Sequence, residues 1–368
     1  MSTETPLLAQ HRALGASFTD FAGWQMPLKY RSELAEHHAV RSAAGLFDLS
    51  HMGEIHLTGR GAAALLDYAL VGELSAVRVG RAKYSLLCNA AGGVLDDLVV
   101  YRLAENDFLV VANASNAAVV FAELDSRADG FDVDVIDESA ETALIAVQGP
   151  AAVAILTALM DDTAPALLAA LKYYACTPAV VAGVEVLLAR TGYTGEDGFE
   201  LYVPNSDAPV LWENLAAATA EHGGIPAGLA ARDSLRLEAG MALYGHELTD
   251  STNPYEAGLG RTIRLTKQFV GSDALQRMSQ AAAPRCLVGL TGSGRRAARA
   301  GYAITTSDGV EIGTVTSGAL SPTLGYPIAM GYVDAAYSEP GTALHVDIRG
   351  HAVDFTVTAT PFYTRPRP

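Results

Sequence analysis

Cysteine is scarce: Cys88, Cys176 and Cys286 are the only three in 368 residues. They lie far apart, form no CxxC pair and have no histidine at zinc-site spacing, which excludes a disulfide framework and a structural zinc site. Buried free thiols in a reducing compartment are expected instead. Long apolar runs are absent too, since none reaches the roughly 18 residues of a membrane span. Met1 to Gln10 has neither a basic n-region nor an apolar h-region, so no secretory signal is expected and the cytoplasm is. Positive charge is in deficit: 25 Lys and Arg stand against 41 Asp and Glu, a net charge of −16. That excludes a general nucleic-acid binder, which needs a basic surface. It leaves room for a small anionic ligand held by a few local cations, and an acidic surface also serves solubility. There is no HExxH metal motif, no GxSxG nucleophile elbow, no GxxxxGK[ST] phosphate loop, no low-complexity tract and no short repeat.

What is present is enough sequence for two or three domains of about 100–200 residues each. Half of the residues are hydrophobic, so a substantial core is available. Leu34, His38 and Arg41 fall at helical intervals, Gly45 reads as the helix C-cap, and Leu46–Leu49 as the start of a strand. The spacing predicts a helix over Gly61–Leu70 and strands over Tyr84–Cys88, Leu95–Tyr101 and Phe108–Ala112. A second α/β unit follows over 141–240. Its strands are Thr142–Gln148 and Val184–Arg190, and its helices are Ala151–Leu159, Leu211–His222 and Ala230–Ala239. Asp250–Asn253 resembles a linker. From Arg285 onward, short strands recur between Gly, Ser and Pro turns, the pattern of a small β-barrel or sandwich.

Three constellations could carry chemistry. Arg190-Thr191-Gly192-Tyr193-Thr194-Gly195-Glu196-Asp197-Gly198-Phe199-Glu200-Leu201-Tyr202 combines glycines that let a ligand approach the backbone, an aromatic face at Tyr193 and a strand-borne acid at Glu200. A plain hairpin with a surface acid fits the same pattern. Asp96-Asp97 sits in an apolar strand. Adjacent strand residues point to opposite faces, so at most one of the two faces a given cavity. An inward Asp loses solvation and needs a partner; it could stabilise a developing cation or handle a proton. An exposed edge-strand acid is the alternative, and the residues alone do not choose between Asp96 and Asp97. Arg232 could fork to a carboxylate or to a heteroaromatic amide edge, or join Asp233, Arg236 and Glu238 in a surface network. The histidines, His51 among them, read as structural.

Taken together, these stretches resemble the aminomethyltransferase, or T-protein, family of the glycine cleavage system over essentially the whole chain. The resemblance is carried by Thr5-Pro6-Leu7, Asp20–Leu28, Phe47–Gly53, Asn89–Val100, Gln148-Gly149-Pro150, Arg190–Tyr202, Gly228–Gly245, Asn253–Leu259 and Gly313–Leu324. Any one is weak; their number and order are specific. The resemblance implies an α+β fold of three domains arranged like a clover leaf around a central folate cavity, two of them α/β and the C-terminal one a β-barrel. The implied division is a discontinuous first domain (1–51 plus 138–245), a second (52–137), a connecting segment (246–284) and the barrel (285–368).

It further implies the reaction. An aminomethyl group on the lipoyl arm of a partner, H-protein, gives its methylene to tetrahydrofolate. The products are 5,10-methylenetetrahydrofolate, ammonia and the dihydrolipoyl partner. No metal is implied. Position by position, the family's catalytic Asp matches Asp97. Glu200 and Arg232 match folate contacts, the Glu holding the pterin's polar edge. Tyr193, Asn113, Val111, Met52, Tyr84 and Tyr173 match other cavity positions. Pro361-Phe362-Tyr363 resembles the family's closing segment, with Thr364 where some members have Arg and Arg365 next. The chemistry suits these residues. A carboxylate bonds the donor edge of a pterin and aromatic side chains stack on its face. A buried Asp97 would stabilise an iminium-like species, an effect of about 3 kcal/mol, or a hundredfold in rate. An acidic lipoyl partner would need a local basic patch, for which Lys29, Arg31, Arg78, Arg81 and Lys83 are candidates. Two other readings have the same fold. A folate-dependent demethylase usually sits on a flavoprotein chain, and no GxGxxG opens this one. A folate-binding accessory protein typically lacks the full motif set and carries a cysteine motif absent here.

Overall fold

The computed structural model describes residues 2–366. Two α/β units and a barrel account for most of it. Thr142–Gln148 is an uninterrupted apolar strand because both of its faces are covered. Ala143, Ile145 and Val147 enter a core with the helices Ala152–Leu159 and Ala208–Glu221. Leu144 and Ala146 enter a second cluster with Tyr101, Val111 and Tyr202. Continuous apolar runs are what a sheet buried on both sides requires. Each Leu or Ile fully buried in these clusters contributes about 1.5–3 kcal/mol relative to exposure.

The strand Thr142–Gln148 lies in a six-stranded sheet of order Cys176–Val181, Val184–Ala189, Gly198–Pro204, Thr142–Gln148, Gly45–Asp48, Ile225–Pro226. The chain therefore enters this sheet at Gly45–Asp48, leaves it, and returns at Thr142. The excursion builds a five-stranded sheet of order Arg81–Cys88, Val94–Ala104, Asp107–Ala112, Gly53–Thr58, Asp134–Asp137. The helices Ala62–Ala69 and Ala117–Arg127 pack on one of its faces through Leu65, Leu66, Val120 and Leu124. The other face carries Tyr101, Leu109 and Val111 against the six-stranded sheet. Residues from Arg285 onward close into a six-stranded barrel filled by Leu290, Ile304, Val315, Val333, Val346 and Phe355. The α+β class with a C-terminal barrel is thus what the sequence led us to expect. No helix among the described residues is long and apolar enough to cross a membrane.

Several local expectations shift. The helix Glu33–Ser42 is capped by Ser32, whose Oγ accepts from the Ala35 amide at 3.3 Å. It ends at Ala43, so Gly45 is not its C-cap but the first strand residue. A Cβ there would lie 2.4 Å from Val40 Cγ2, which is why glycine occupies it. Asp250–Asn253 is not a free linker. The Asp250 carbonyl accepts from Asn89 Nδ2 at 2.9 Å, and a Cβ on Gly93 would stand 1.7 Å from that same oxygen. The hairpin Ser17–Phe21/Trp24–Lys29, the strand Cys176–Val181 and the helices Ala164–Ala170 and Ser272–Gln280 were not apparent from pattern. Ser272–Gln280 nonetheless carries an amphipathic pattern, with Leu275 and Met278 turned to the core. Cys88 and Cys176 are buried free thiols; Cys286 is only half-buried.

Candidate functional site

A cavity of about 530 Å³ opens where the two sheets and the barrel meet. The five-stranded sheet contributes Tyr84, Asp97, Val99, Val111 and Asn113 to its wall. The six-stranded sheet and the residues around it contribute Leu144, Thr191, Tyr193, Glu200 and Tyr202, with Arg232 from the helix Leu229–Glu238. The barrel adds Leu287, Val288 and Met330, and the segment Gly240–Tyr244 runs along the rim.

Strand alternation sorts the two aspartates. Asp97 faces the cavity, whereas Asp96 turns to the opposite face and is 0 % exposed. Asp96 is held by Asn116 Nδ2 (2.7 Å), Asn113 Nδ2 (2.9 Å) and the Asn113 amide (3.0 Å). Asp97 accepts from Tyr84 Oη (3.0 Å) and Asn113 Nδ2 (3.0 Å). Burial pushes the Asp97 carboxyl up to about 6, against the stabilising bonds from Tyr84 and Asn113. Burial and the neighbouring Asp97 push Asp96 up to about 7. The pair is thereby poised near neutrality, where a carboxylate both stabilises positive charge and exchanges a proton. Burial and Asp97 together raise the Tyr84 phenol well above its ordinary range, so it remains a donor.

On the facing wall, Glu200 accepts from Thr191 Oγ1 and from Tyr101 Oη at 3.4 Å, and Tyr202 Oη donates on to Tyr101 Oη at 3.3 Å. Burial raises the Glu200 carboxyl, while Thr191 and the positive charge of Arg232 oppose the rise. The Arg232 guanidinium lies 4.8 Å from the Tyr193 ring centroid, a cation–π arrangement, and Tyr193 Oη donates to the Ala242 carbonyl. The turn that delivers these groups depends on Gly192, where a Cβ would meet Gln148 Oε1 at 2.0 Å. That glutamine donates Nε2 to the Thr191 carbonyl at 3.0 Å.

The cavity thus brings together Asp97, Glu200, Arg232, Tyr193, Asn113, Val111, Met52 and Tyr84. It does not include Tyr173, which is 48 % exposed. Its neighbour Tyr174, at φ +58°, lines the wall instead, with Tyr173 edge-on to it at 4.9 Å. Both tyrosines sit at a chain reversal, where strand parity gives no guidance. Arg236 is no surface residue either. It is 1 % exposed and pairs with Glu247 (3.0 Å) and Asp233 (2.8 Å), while Glu238 turns to Arg41 (2.8 Å) and His37 (3.1 Å). Among the described residues no group of three His, Cys, Asp or Glu side chains is placed to hold a metal ion.

Two residues with unusual surroundings escaped the sequence patterns. His51 lines the cavity. Glu54, on the strand Gly53–Thr58, is fully buried with neither carboxyl oxygen bonded. Burial first, then Asp137, Glu138 and Glu200, push its pKa well above the ordinary value of 4.5. A raised folded pKa contributes stability that is fully present below the unfolded value and is lost as the pH rises through the folded one. Glu54→Gln removes that dependence. Relative to wild type, the variant should gain stability as the pH rises above the ordinary glutamate range, read by urea unfolding across pH. Parallel pH profiles would mean that Glu54 is not held protonated.

Comparison with known proteins bears on this site. Residues 7–267 match the family model of the GCVT N-terminal domain, and residues 285–364 that of the glycine cleavage T-protein C-terminal barrel domain. A curated aminomethyltransferase of Saccharopolyspora erythraea is 57% identical over 364 residues, covering 98% of each chain. Another, of Streptomyces avermitilis, is 59% identical over 367 residues, covering 98% of this chain and 97% of that one. The crystal structure of the glycine cleavage system aminomethyltransferase T of Bartonella henselae superposes with a TM-score of 0.92 at 39% identity, over 99% of both chains.

Proposed function

The chain belongs to the glycine cleavage T-protein family of aminomethyltransferases, and from that premise we propose that it passes the methylene of an aminomethyl group on the lipoyl arm of H-protein to tetrahydrofolate. The carbon–sulfur and carbon–nitrogen bonds of the aminomethyl group break, and two carbon–nitrogen bonds form on the folate. Ammonia and dihydrolipoyl H-protein leave. One observation carries the proposal: an acceptor (Glu200), a cation (Arg232) and a carboxyl whose pKa is raised to about 6 (Asp97) face a single cavity built from three parts of the fold.

Each group has work that suits its surroundings. Glu200, oriented by Thr191 and Tyr101, is an acceptor for the N–H edge of a pterin. Arg232 spends none of its donors on an ion pair among the described residues and is free to meet an acceptor. Asp97 offers negative charge where the departing amine leaves an electron-poor carbon. Its low-polarity surroundings make that charge count for more than it would in water. Isothermal titration tests the binding half. Wild type should bind tetrahydrofolate, and Glu200→Gln should bind it at least about tenfold more weakly, the worth of one charge-assisted hydrogen bond. Equal affinity would remove Glu200 from the ligand.

For the partner, the support is a set of cations without carboxylate partners. Arg81 Nη2 donates to the Tyr173 carbonyl at 3.0 Å and Lys83 Nζ to the Glu73 carbonyl at 2.9 Å, so their charge is not neutralised. Lys83 and Tyr84 are neighbours on one strand, and Tyr84 lines the cavity. Neutralising Arg78, Arg81 and Lys83 together should weaken H-protein docking, flatten its salt dependence and spare folate affinity. Unchanged docking would discard this surface.

A further inference from the structure

We propose that His51 is a further ligand-contacting and specificity-determining residue, a hydrogen-bond donor that joins Arg232 on the oxygen edge of the bound heterocycle, across from Glu200. The inference rests on the cavity being the folate site and goes beyond it by naming how the ring's two edges are told apart.

His51 is only 3 % exposed, yet it lines the cavity. Its Nδ1 has no hydrogen-bond partner. A buried polar atom left unpaired is costly, and its usual explanation is a missing ligand or water. The ring is held in place rather than loose. The backbone turn around it is tied by Met52 N to Leu49 O (2.9 Å) and by Ser50 N to Asp48 Oδ1 (2.9 Å). The Phe21 ring packs edge-on at 5.4 Å. The Nδ1 side of the ring is sealed from the cavity, and neither ring nitrogen is hydrogen-bonded among the described residues, so the fixed ring presents its Nε2 edge on the cavity wall as a pre-formed hydrogen-bonding group.

The charges around it decide which form it takes. Burial, then the positive Arg232, push the imidazole down to about 3. Asp48 acts in the opposite direction but is already engaged by His11 Nε2 at 2.8 Å and by the Ser50 amide. His51 is therefore a neutral imidazole with one N–H and one lone pair. Arg232 supplies only donors, and Glu200 is held as an acceptor by Thr191 and Tyr101. One part of the cavity thus sets an acceptor against donors. That pattern fits a lactam–amidine ring, whose N–H groups meet Glu200 and whose carbonyl meets Arg232 and His51. A ring bearing an amino group in place of the carbonyl would turn its own donors against theirs.

The test compares tetrahydrofolate with its 4-amino analogue on wild type, His51→Leu and His51→Gln by titration calorimetry. Wild type should favour the 4-oxo compound. His51→Leu should lose about tenfold in affinity for it, the worth of one hydrogen bond, and discriminate less between the two. His51→Gln, which keeps a donor, should recover part of the preference. A second measurement needs only wild type. With ¹⁵N-labelled histidine, the His51 ring resonances should move on adding tetrahydrofolate and move less with the 4-amino analogue. Full discrimination in a folded His51→Leu, or unmoved ring resonances in folate-saturated wild type, would overturn the role of His51. Failure of wild type to bind either compound would instead overturn the folate reading of the cavity.

Discussion

Asp97→Asn should lower turnover about a hundredfold while leaving tetrahydrofolate affinity within a fewfold of wild type. The exchange keeps the side chain's shape and removes its charge. Asp97 accepts from two donors, Tyr84 Oη and Asn113 Nδ2. An asparagine carbonyl can still take one of them, so the site stays assembled. What is lost is the negative charge facing the carbon that turns cationic as ammonia departs. The pH profile carries a second signature. The Asp97 carboxyl is pushed up to about 6, so the required carboxylate forms as the pH rises through that value. Wild-type activity should therefore fall on the acid side with an apparent pKa near 6, and the residual activity of the variant should lack that limb. Steady-state rates across pH, with folate affinity measured separately, check both. Full activity in the variant would leave the cavity its function and deny Asp97 the central part.

The largest effect on stability is expected at Arg236. Arg236→Met should cost about 3–5 kcal/mol, because it strips the partner from a fully buried carboxylate. Glu247 lies in contact with Arg236 at 3.0 Å and keeps only the Leu243 amide (2.9 Å) and Thr316 Oγ1 (2.6 Å) as donors. Arg236 also bonds the Met241 carbonyl (3.2 Å) and Ser317 Oγ of the barrel (2.8 Å). It therefore ties the Leu229–Glu238 helix, the rim segment Gly240–Tyr244 and the barrel at one point. Urea unfolding should show the loss. The double variant Arg236→Met/Glu247→Gln should recover much of it, since no unpaired charge remains buried. A single variant as stable as wild type would show that water or another cation satisfies Glu247.

Much of this arrangement was legible in the residues because it follows from short-range rules. The period-2 alternation of a strand does send Asp96 and Asp97 to opposite faces. The run TALIAVQ reads as a strand, as does the start of its neighbour at Leu46–Leu49, while the neighbour on the other side, Gly198–Pro204, was read only as a strand-like run around Glu200. The assembly of one cavity from Asp97, Glu200 and Arg232 is different. It brings Asp97 to two residues more than a hundred positions further along the chain, which no local period encodes; the family resemblance, not the pattern, linked them. The misses are equally physical. At Tyr173-Tyr174 the chain reverses, so only tertiary structure decides which ring turns inward. His51 and Glu54 were passed over because what singles them out is a missing partner, and a sequence does not show where hydrogen bonds fail to form. Gly45 was misassigned because glycine serves close packing against Val40 as readily as it serves a helix end.

The most direct test of the central claim is folate-dependent release of ammonia from aminomethylated H-protein by the wild-type chain, with methylenetetrahydrofolate measured in the same reaction. The account predicts that both products appear in equal amounts and that ammonia release is strongly stimulated by tetrahydrofolate. Tight folate binding with no ammonia and no methylenetetrahydrofolate would contradict it.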